Sequence, residues 1–275
     1  MLGWKRIYIG SKKMKILLTN DDGIRAPGII ALHKALSGLG ELVVFAPETV
    51  QSATSHGITY STPLMTQIVQ VTDDMSGIAV DGRPADCVKL AMRALWEEQF
   101  GEGSKPDLTI SGMNSGSNVG INIIYSGTVA AAIESAFLGV PSIAVSLHLS
   151  NRAKTCYDRA AEIARVVIDK VLENKLESSE VININVPTCE TPDRKMPEIK
   201  VVDMNAGGDL GFYDKRVAPD GRVYFWAAGD GMSFAHTSEG SDVEALKQGY
   251  ATVTPLDYVL THTSRMELWR DRVQS

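Results

Sequence analysis

Short apolar runs alternate with segments of helical periodicity over the first two thirds of the chain. The runs predict strands and the periodic segments predict helices, in the order strand 16–18, helix 27–39, strand 42–47, helix 86–100, strand 108–110, helix 128–138, strand 143–147, helix 153–176 and strand 181–186. Such alternation is typical of parallel strands whose connecting helices cover both faces of the sheet. We therefore expect an α/β fold with a mostly parallel sheet between two layers of helices.

The pattern changes after residue 190. Frequent Gly and Pro residues prevent a long helix there, and the apolar positions predict a strand at 222–228, a short helix at 242–247 and a strand at 250–256. These strands have little helix to cover them, and uncovered strands favour pairing with another chain. The alternative is a compact hairpin subdomain that folds onto its own core.

Three regions follow from these patterns. Residues 1–13 precede Met14 and the first strand, and we interpret them as an N-terminal extension outside the functional part. Residues 14–190 form the predicted α/β core. Residues 191–275 form a C-terminal β-hairpin and helix extension, which we expect to be exchanged between the subunits of a homodimer or homotetramer.

Charge and composition narrow the functional classes. The net charge of −6, with basic residues scattered singly, provides no stripe for a nucleic acid polymer. The three cysteines form no Cys-x-x-Cys pair and the five histidines form no His-x-x-x-His pair, which argues against a disulfide framework and a zinc site. No apolar run has the length of a membrane span or of a signal peptide. We expect a cytoplasmic protein without a membrane partner.

Two neighbouring carboxylates follow the first predicted strand. Asp21 and Asp22 lie in the segment Asn20-Asp-Asp-Gly23, and their charges repel unless a cation holds them together. Carboxylate oxygens suit Mg²⁺ or Mn²⁺, whose coordination is commonly completed by water and by substrate phosphate. The pattern indicates one divalent metal ion at Asp21 and Asp22. An ordinary solvated turn is the alternative.

Three further loops are rich in hydroxyl groups, amides and glycine. They are residues 48–57 with Ser52, residues 111–120 with Asn114 and Asn118, and residues 125–128 with Ser126, Gly127 and Thr128. The last of them begins an Ala-rich helix, and helix N-termini bind anions, although plain capping explains the same residues. Because ligands bind at the carboxyl ends of parallel strands, we expect the loops that follow strands to converge on one cleft.

The combination of these motifs resembles the SurE family of survival-protein nucleotidases. The segments that carry the likeness, in chain order, are Asn20-Asp-Asp-Gly23, Ser111-Gly-Met-Asn-Ser-Gly-Ser-Asn118 and Tyr125-Ser-Gly-Thr-Val-Ala-Ala-Ala132. Further support comes from Asp81-Gly-Arg-Pro-Ala-Asp-Cys-Val88 and Gly249-Tyr-Ala-Thr-Val-Thr-Pro-Leu256. The likeness extends from Met14 to about Leu256. One departure is Ala53, where the family commonly has Gly after the serine.

The resemblance implies a Rossmann-like three-layer core, an extension exchanged between subunits, and hydrolysis of nucleoside 5′- and 3′-monophosphates, with some activity on polyphosphate. Carried over residue by residue, it places the metal on Asp21, Asp22, Ser52 and Asn114, and the substrate phosphate on Ser126, Gly127 and Thr128. Asn20 and Asn118 lie in the same motifs and are expected to contact substrate. Asp21 and Asp22 are also the expected catalytic residues, and no sequence feature identifies a general base.

Two other functional classes fit parts of the pattern. A haloacid-dehalogenase-type phosphatase also places Asp after its first strand, but it uses Asp-x-Asp, whereas Gly23 stands two positions after Asp21. A non-catalytic nucleotide-binding module would need the same phosphate-binding loops without turnover. Phosphate release and a search for phospho-aspartate separate these alternatives.

Overall fold

The computed structural model describes residues 13–208, 210–229 and 231–274. Its strands are β1 (Lys15–Thr19), β2 (Glu41–Pro47), β3 (Thr66–Thr72), β4 (Met75–Val80), β5 (Leu108–Ser115), β6 (Ser142–Leu147), β7 (Val181–Val186), β8 (Ile199–Val201), β9 (Phe212–Val217), β10 (Val223–Ala228) and β11 (Ala251–Leu256). Its α-helices are α1 (Pro27–Ala35), α2 (Pro84–Leu90), α3 (Trp96–Phe100), α4 (Gly127–Phe137), α5 (Tyr157–Val171), α6 (Asp242–Lys247) and α7 (Met266–Gln274).

Nine strands form the main sheet in the order β3-β4-β2-β1-β5-β6-β7-β11-β8. The six strands from β4 to β7 in this order are parallel, whereas β3 and β11 run antiparallel to β4 and β7. The chain passes from β1 to β2 on one side and later returns to β5 on the other. The strand order therefore reverses at β1, and ligands bind at such switch points in sheets of this kind.

Helices cover both faces of this sheet. Helix α1 packs against α5 on one face, and α2 packs against α4 on the other. Successive residues of a strand point to opposite faces, so Ile16 and Leu18 join the α1 and α5 core while Leu17 joins the α2 and α4 core. Burial on both sides explains the continuous apolar run of β1. The expected three-layer α/β fold is confirmed.

Several elements differ from the sequence-based expectations. The β3–β4 hairpin was not predicted, because Val69 is the one buried residue of the edge strand β3. Helix α5 begins at Tyr157 instead of 153, because the 3₁₀ turn Arg152–Lys154 ends before it and Cys156 has non-helical backbone angles, φ −99° and ψ 86°. A π-helical segment, Ala91–Leu95, separates α2 from α3 in the region predicted as one helix.

The C-terminal region contributes to the sheet and also forms a hairpin of its own. Strand β11 pairs with β7, and β8 pairs with β11. Strands β9 and β10 form a separate two-stranded sheet, and α7 near the C-terminus was not predicted. The predicted N-terminal extension lies outside the described residues except for Lys13. No helix within the described parts of the chain is long and apolar enough to cross a membrane.

Candidate active site

Asp21 lies directly after β1 and is bound to the start of α4. Its side chain is 4% exposed. The Thr128 hydroxyl donates to Asp21 Oδ1 at 2.5 Å, and the Thr128 N–H donates to Oδ2 at 3.2 Å. The N-terminus of α4, where the helix dipole favours negative charge, is therefore fixed beside this carboxylate.

Burial determines the electrostatics of Asp21. It raises the pKa of the Asp21 carboxyl to about 6; the Thr128 hydrogen bonds oppose the rise and the neighbouring charge of Asp22 adds to it. The ionised form is thus costly without a cation nearby. A divalent ion would relieve both the burial cost and the repulsion, so this pair of carboxylates fits a metal site.

Asp22 and Asn114 meet through the end of β5. The Ser115 N–H donates to Asp22 Oδ2 at 2.7 Å. The amide nitrogen of Asn114 donates to the Gly116 carbonyl oxygen at 2.7 Å, which leaves the amide oxygen of Asn114 available as a ligand. Asp22 and Asn114, expected as ligands of one ion, are therefore both held at the end of β5.

The other two expected metal ligands, Ser52 and Asn114, would each supply a neutral oxygen atom. Among the residues that the structure describes, no three His, Cys, Asp or Glu side chains gather in a way that could hold a metal ion. Two carboxylates completed by neutral oxygen donors match the ligand preference of Mg²⁺ or Mn²⁺. Asn20 Oδ1 is buried without a hydrogen-bond partner in the described structure, whereas its amide nitrogen donates to Gly23 O at 2.8 Å. Asn20 thus stabilises the turn that carries both aspartates.

Ser52 lies in an exposed turn, and hydrogen bonds from the residues on either side of it reach two other segments of the site. The Gln51 N–H donates to the Asp21 carbonyl oxygen at 2.7 Å. The Ser55 N–H and hydroxyl donate to the carbonyl oxygens of Tyr125 and Ile124, at 3.1 and 2.8 Å. Ser52 is therefore carried between the Asp21 loop and the residues that precede α4.

The three residues at the start of α4 have different local roles. Ser126 is the N-cap, because its Oγ accepts the Val129 N–H at 3.1 Å. At Gly127 a Cβ would lie 3.0 Å from both Asp21 Cβ and Pro84 Cγ, so glycine permits the close approach of α4. Thr128 holds Asp21. Capping is thus observed for Ser126, and a phosphate contact by these residues stays a prediction.

Asn118 lies in a buried polar network with side chains of β6 and β7. Its side-chain nitrogen donates to Ser146 Oγ at 2.8 Å. Its backbone carbonyl oxygen accepts from the side-chain amides of Asn183 and Asn185 at 2.8 and 3.0 Å. These bonds fasten the loop after β5 to β6 and β7. A substrate contact by Asn118 stays a prediction.

The sequence-based reasoning missed several residues around the site. Ser115 contacts Asp22, and the Tyr157 hydroxyl donates to Ser115 Oγ at 2.9 Å. On α4, the buried Glu134 lies 2.8 Å from His56 Nε2, which adds a further contact between the Ser52 turn and this helix. A single acidic residue in an otherwise apolar and small-residue helix was the signal that could have identified Glu134.

Comparison with known proteins assigns the chain to a family. The family described as survival protein SurE matches residues 16–207. A 5′-nucleotidase SurE of Rhodopirellula baltica is 43% identical over 258 residues, covering 94% of this chain and 98% of that protein. Another from Heliobacterium modesticaldum is 41% identical over 255 residues, covering 92% and 90%. The crystal structure of the SurE protein from Aquifex aeolicus has a TM-score of 0.76 and 36% identity, covering 94% of this chain and 99% of that chain. The chain therefore belongs to the SurE family.

Proposed function

We propose that this protein is a divalent-metal-dependent nucleotidase that hydrolyses nucleoside 5′- and 3′-monophosphates to nucleoside and phosphate. The observation that carries the proposal is the pair Asp21 and Asp22 at the switch point of the sheet, with the start of α4 bonded to Asp21. The relatives named 5′-nucleotidase support the 5′ activity. The 3′ activity, and activity on polyphosphate, are finer parts of the same proposal.

Asp21, Asp22, Ser52 and Asn114 would hold one Mg²⁺ or Mn²⁺. Bound there, such an ion would polarise the phosphoryl oxygens of the substrate. Asp21 is kept in place by Thr128, and Asp22 by the Ser115 N–H. The N-terminus of α4 supplies a positive electrostatic environment for the dianionic phosphate. Substrate contacts by Asn20, Asn118, Ser126, Gly127 and Thr128 belong to this proposal.

The assembly expected for the protein is a homodimer or homotetramer in which the extension of residues 191–275 is exchanged between subunits through its hairpin β9–β10, since β8 and β11 pair within this chain's own sheet. Support comes from the hairpin β9–β10, where Tyr213, Phe225 and Trp226 are 71%, 58% and 61% exposed. Exposed aromatic clusters of this kind mark interaction surfaces. We also propose a cytoplasmic location. It is supported by the absence of a disulfide bond at Cys87, Cys156 and Cys189.

Phosphate release from a panel of substrates tests the function. We expect turnover of 5′- and 3′-nucleoside monophosphates with Mg²⁺ or Mn²⁺, loss of turnover with EDTA, and recovery when the metal is restored. Turnover that persists in EDTA would contradict the metal-dependent mechanism. Nucleotide binding without phosphate release would instead identify a binding module.

A haloacid-dehalogenase-type mechanism is tested by a search for a phospho-aspartate intermediate. Under single-turnover conditions no phospho-aspartate should form at Asp21 or Asp22, and oxygen from ¹⁸O-labelled water should appear in the phosphate. A trapped phospho-aspartate would support the rival mechanism, in which Asp acts as the nucleophile.

A further inference from the structure

Ser115 is contacted on three sides at the edge of the site. Its N–H donates to Asp22 Oδ2 at 2.7 Å. Its hydroxyl oxygen accepts from the Tyr157 hydroxyl at 2.9 Å, and its carbonyl oxygen accepts from Arg152 Nη2 at 3.4 Å. Because Ser115 directly follows Asn114, it connects the segment around the start of α5 to two proposed metal ligands.

The Tyr157 hydroxyl is positioned by the protein core. Tyr157 is the first residue of α5, and its ring packs against the core that contains α1 and α5. The start of the helix is fixed by the bond from Cys156 N–H to the Cys189 carbonyl oxygen at 2.8 Å. Arg152 is exposed and its contact with Ser115 is longer, so Tyr157 is the more rigid of the two side-chain anchors.

Asn114 and Ser115 end β5 beside an irregularity, because the register between β5 and β6 shifts between Ser111 and Asn114. Gly112 and Gly116 flank these residues with φ of 142° and 154°, and glycine gives the backbone many alternative conformations. Asp22 is adjacent to the like charge of Asp21, so its orientation depends on fixed donors such as the Ser115 N–H. A shift of Ser115 would move the donor to Asp22 and the Asn114 ligand together.

We propose that Tyr157 is a positioning residue for the metal site, acting through Ser115 to hold Asp22 and Asn114 in the arrangement that binds the ion. The proposal rests on the proposed function, because it takes Asp22 and Asn114 as ligands. Outer partners that orient metal ligands commonly contribute to metal affinity. Tyr157 therefore belongs to the metal-binding machinery without touching metal or substrate.

Mn²⁺ titration of the Tyr157→Phe variant tests the proposal. This change removes the hydroxyl and keeps the ring in the core. We expect the Mn²⁺ Kd, measured by calorimetry without substrate, to rise about 3- to 10-fold, as for one lost hydrogen bond. Turnover should fall at limiting Mn²⁺ and return to the wild-type kcat at saturating Mn²⁺. Tyr213→Phe, on the exposed hairpin, is the matched control and should leave the Kd unchanged.

A double-mutant cycle identifies the contact responsible. Ser115→Ala removes the hydroxyl that Tyr157 contacts but keeps the N–H that donates to Asp22. If the two hydroxyl groups act as a pair, Tyr157→Phe should change the Kd in the wild-type background and have little further effect in Ser115→Ala.

The outcomes separate this inference from the proposed function. A wild-type protein that binds no Mn²⁺ would overturn the metal-dependent function, and this inference with it. A wild-type protein that binds Mn²⁺, together with a Tyr157→Phe variant of equal Kd, would overturn the positioning role alone. A lower Tm without a change in Kd, or an equal effect in the Ser115→Ala background, would also overturn it.

Discussion

The Thr128 hydroxyl donates a 2.5 Å hydrogen bond to Asp21 Oδ1, across 107 positions of the chain. This bond joins the end of the central strand β1 to the start of α4. Thr128 is thus both a predicted phosphate contact and an observed partner of a predicted metal ligand. Removal of the Thr128 hydroxyl should therefore affect the orientation of Asp21 as well as the binding of phosphate.

The first prediction concerns Thr128→Val. The change removes the hydroxyl but keeps the shape and the N–H, so one donor to a buried carboxylate is lost. We expect kcat/KM to fall by about 5- to 150-fold, which corresponds to about 1–3 kcal/mol. Thr128→Ser retains a hydroxyl and should keep most of the activity. Wild-type kinetics for Thr128→Val would restrict the motif to a capping role.

The second prediction is that Asp21→Asn loses activity through its metal site while remaining folded. Loss of one of two carboxylates weakens the hold on a divalent cation, and we expect turnover to fall by about 100-fold or more. Circular dichroism and Mn²⁺ calorimetry measure the fold and the metal separately. Full activity with normal Mn²⁺ binding would rule out Asp21 as a ligand.

The third prediction concerns the effect of Asp21→Asn on the free energy of unfolding at different pH values when no metal is bound. Burial raises the pKa of Asp21 from 3.8 to about 6 in the folded protein. The folded state therefore holds this proton more tightly than the unfolded state, so the contribution to stability is fully present below pH 3.8 and is lost as the pH rises through about 6. Asn cannot ionise and avoids this loss.

Urea unfolding in EDTA measures this effect. At pH 8 the free energy of unfolding of Asp21→Asn should exceed that of the wild type by about 2 kcal/mol, after allowance for the one Thr128 hydrogen bond that the amide nitrogen cannot accept in place of a carboxylate oxygen. At pH 4 the advantage should disappear. An equal difference at both pH values would show that ionisation of Asp21 is not its origin.

The site shows which features a sequence predicts and which it does not. Asp21 and Asp22 follow an apolar run, and Ser126 begins an Ala-rich segment. Local patterns are therefore enough to predict that the aspartates follow a strand and that Ser126 begins a helix. The bond between Tyr157 and Ser115 spans 42 positions and depends on where α5 begins, which helical periodicity placed at 153. Likewise the edge strand β3 has too few buried residues for an apolar pattern. Such features depend on tertiary packing.

The fourth prediction concerns the close approach of α4 to β1. A Cβ at Gly127 would lie 3.0 Å from Asp21 Cβ and 3.0 Å from Pro84 Cγ, which is tighter than most Cβ contacts in folded proteins. Gly127→Ala should therefore displace α4 from Asp21, lower the free energy of unfolding by about 1–3 kcal/mol and reduce kcat/KM. Gly208, where a Cβ meets nothing within 4 Å, supplies the control Gly208→Ala. Equal stability and activity of the two variants would show that α4 tolerates a side chain here.

The last prediction concerns the hairpin β9–β10 and the assembly. Phe225 and Trp226 are consecutive and so point to opposite faces of β10, yet they are 58% and 61% exposed in the single chain. Both faces of the hairpin thus leave aromatic surface uncovered, and a partner subunit is the natural cover. Trp226→Ser should shift the protein toward monomers in light scattering at micromolar concentration, whereas Lys215→Ser on the same hairpin should not. A monomeric wild type with full activity would contradict the oligomer, and an unchanged oligomer in Trp226→Ser would show that this face is not part of the contact.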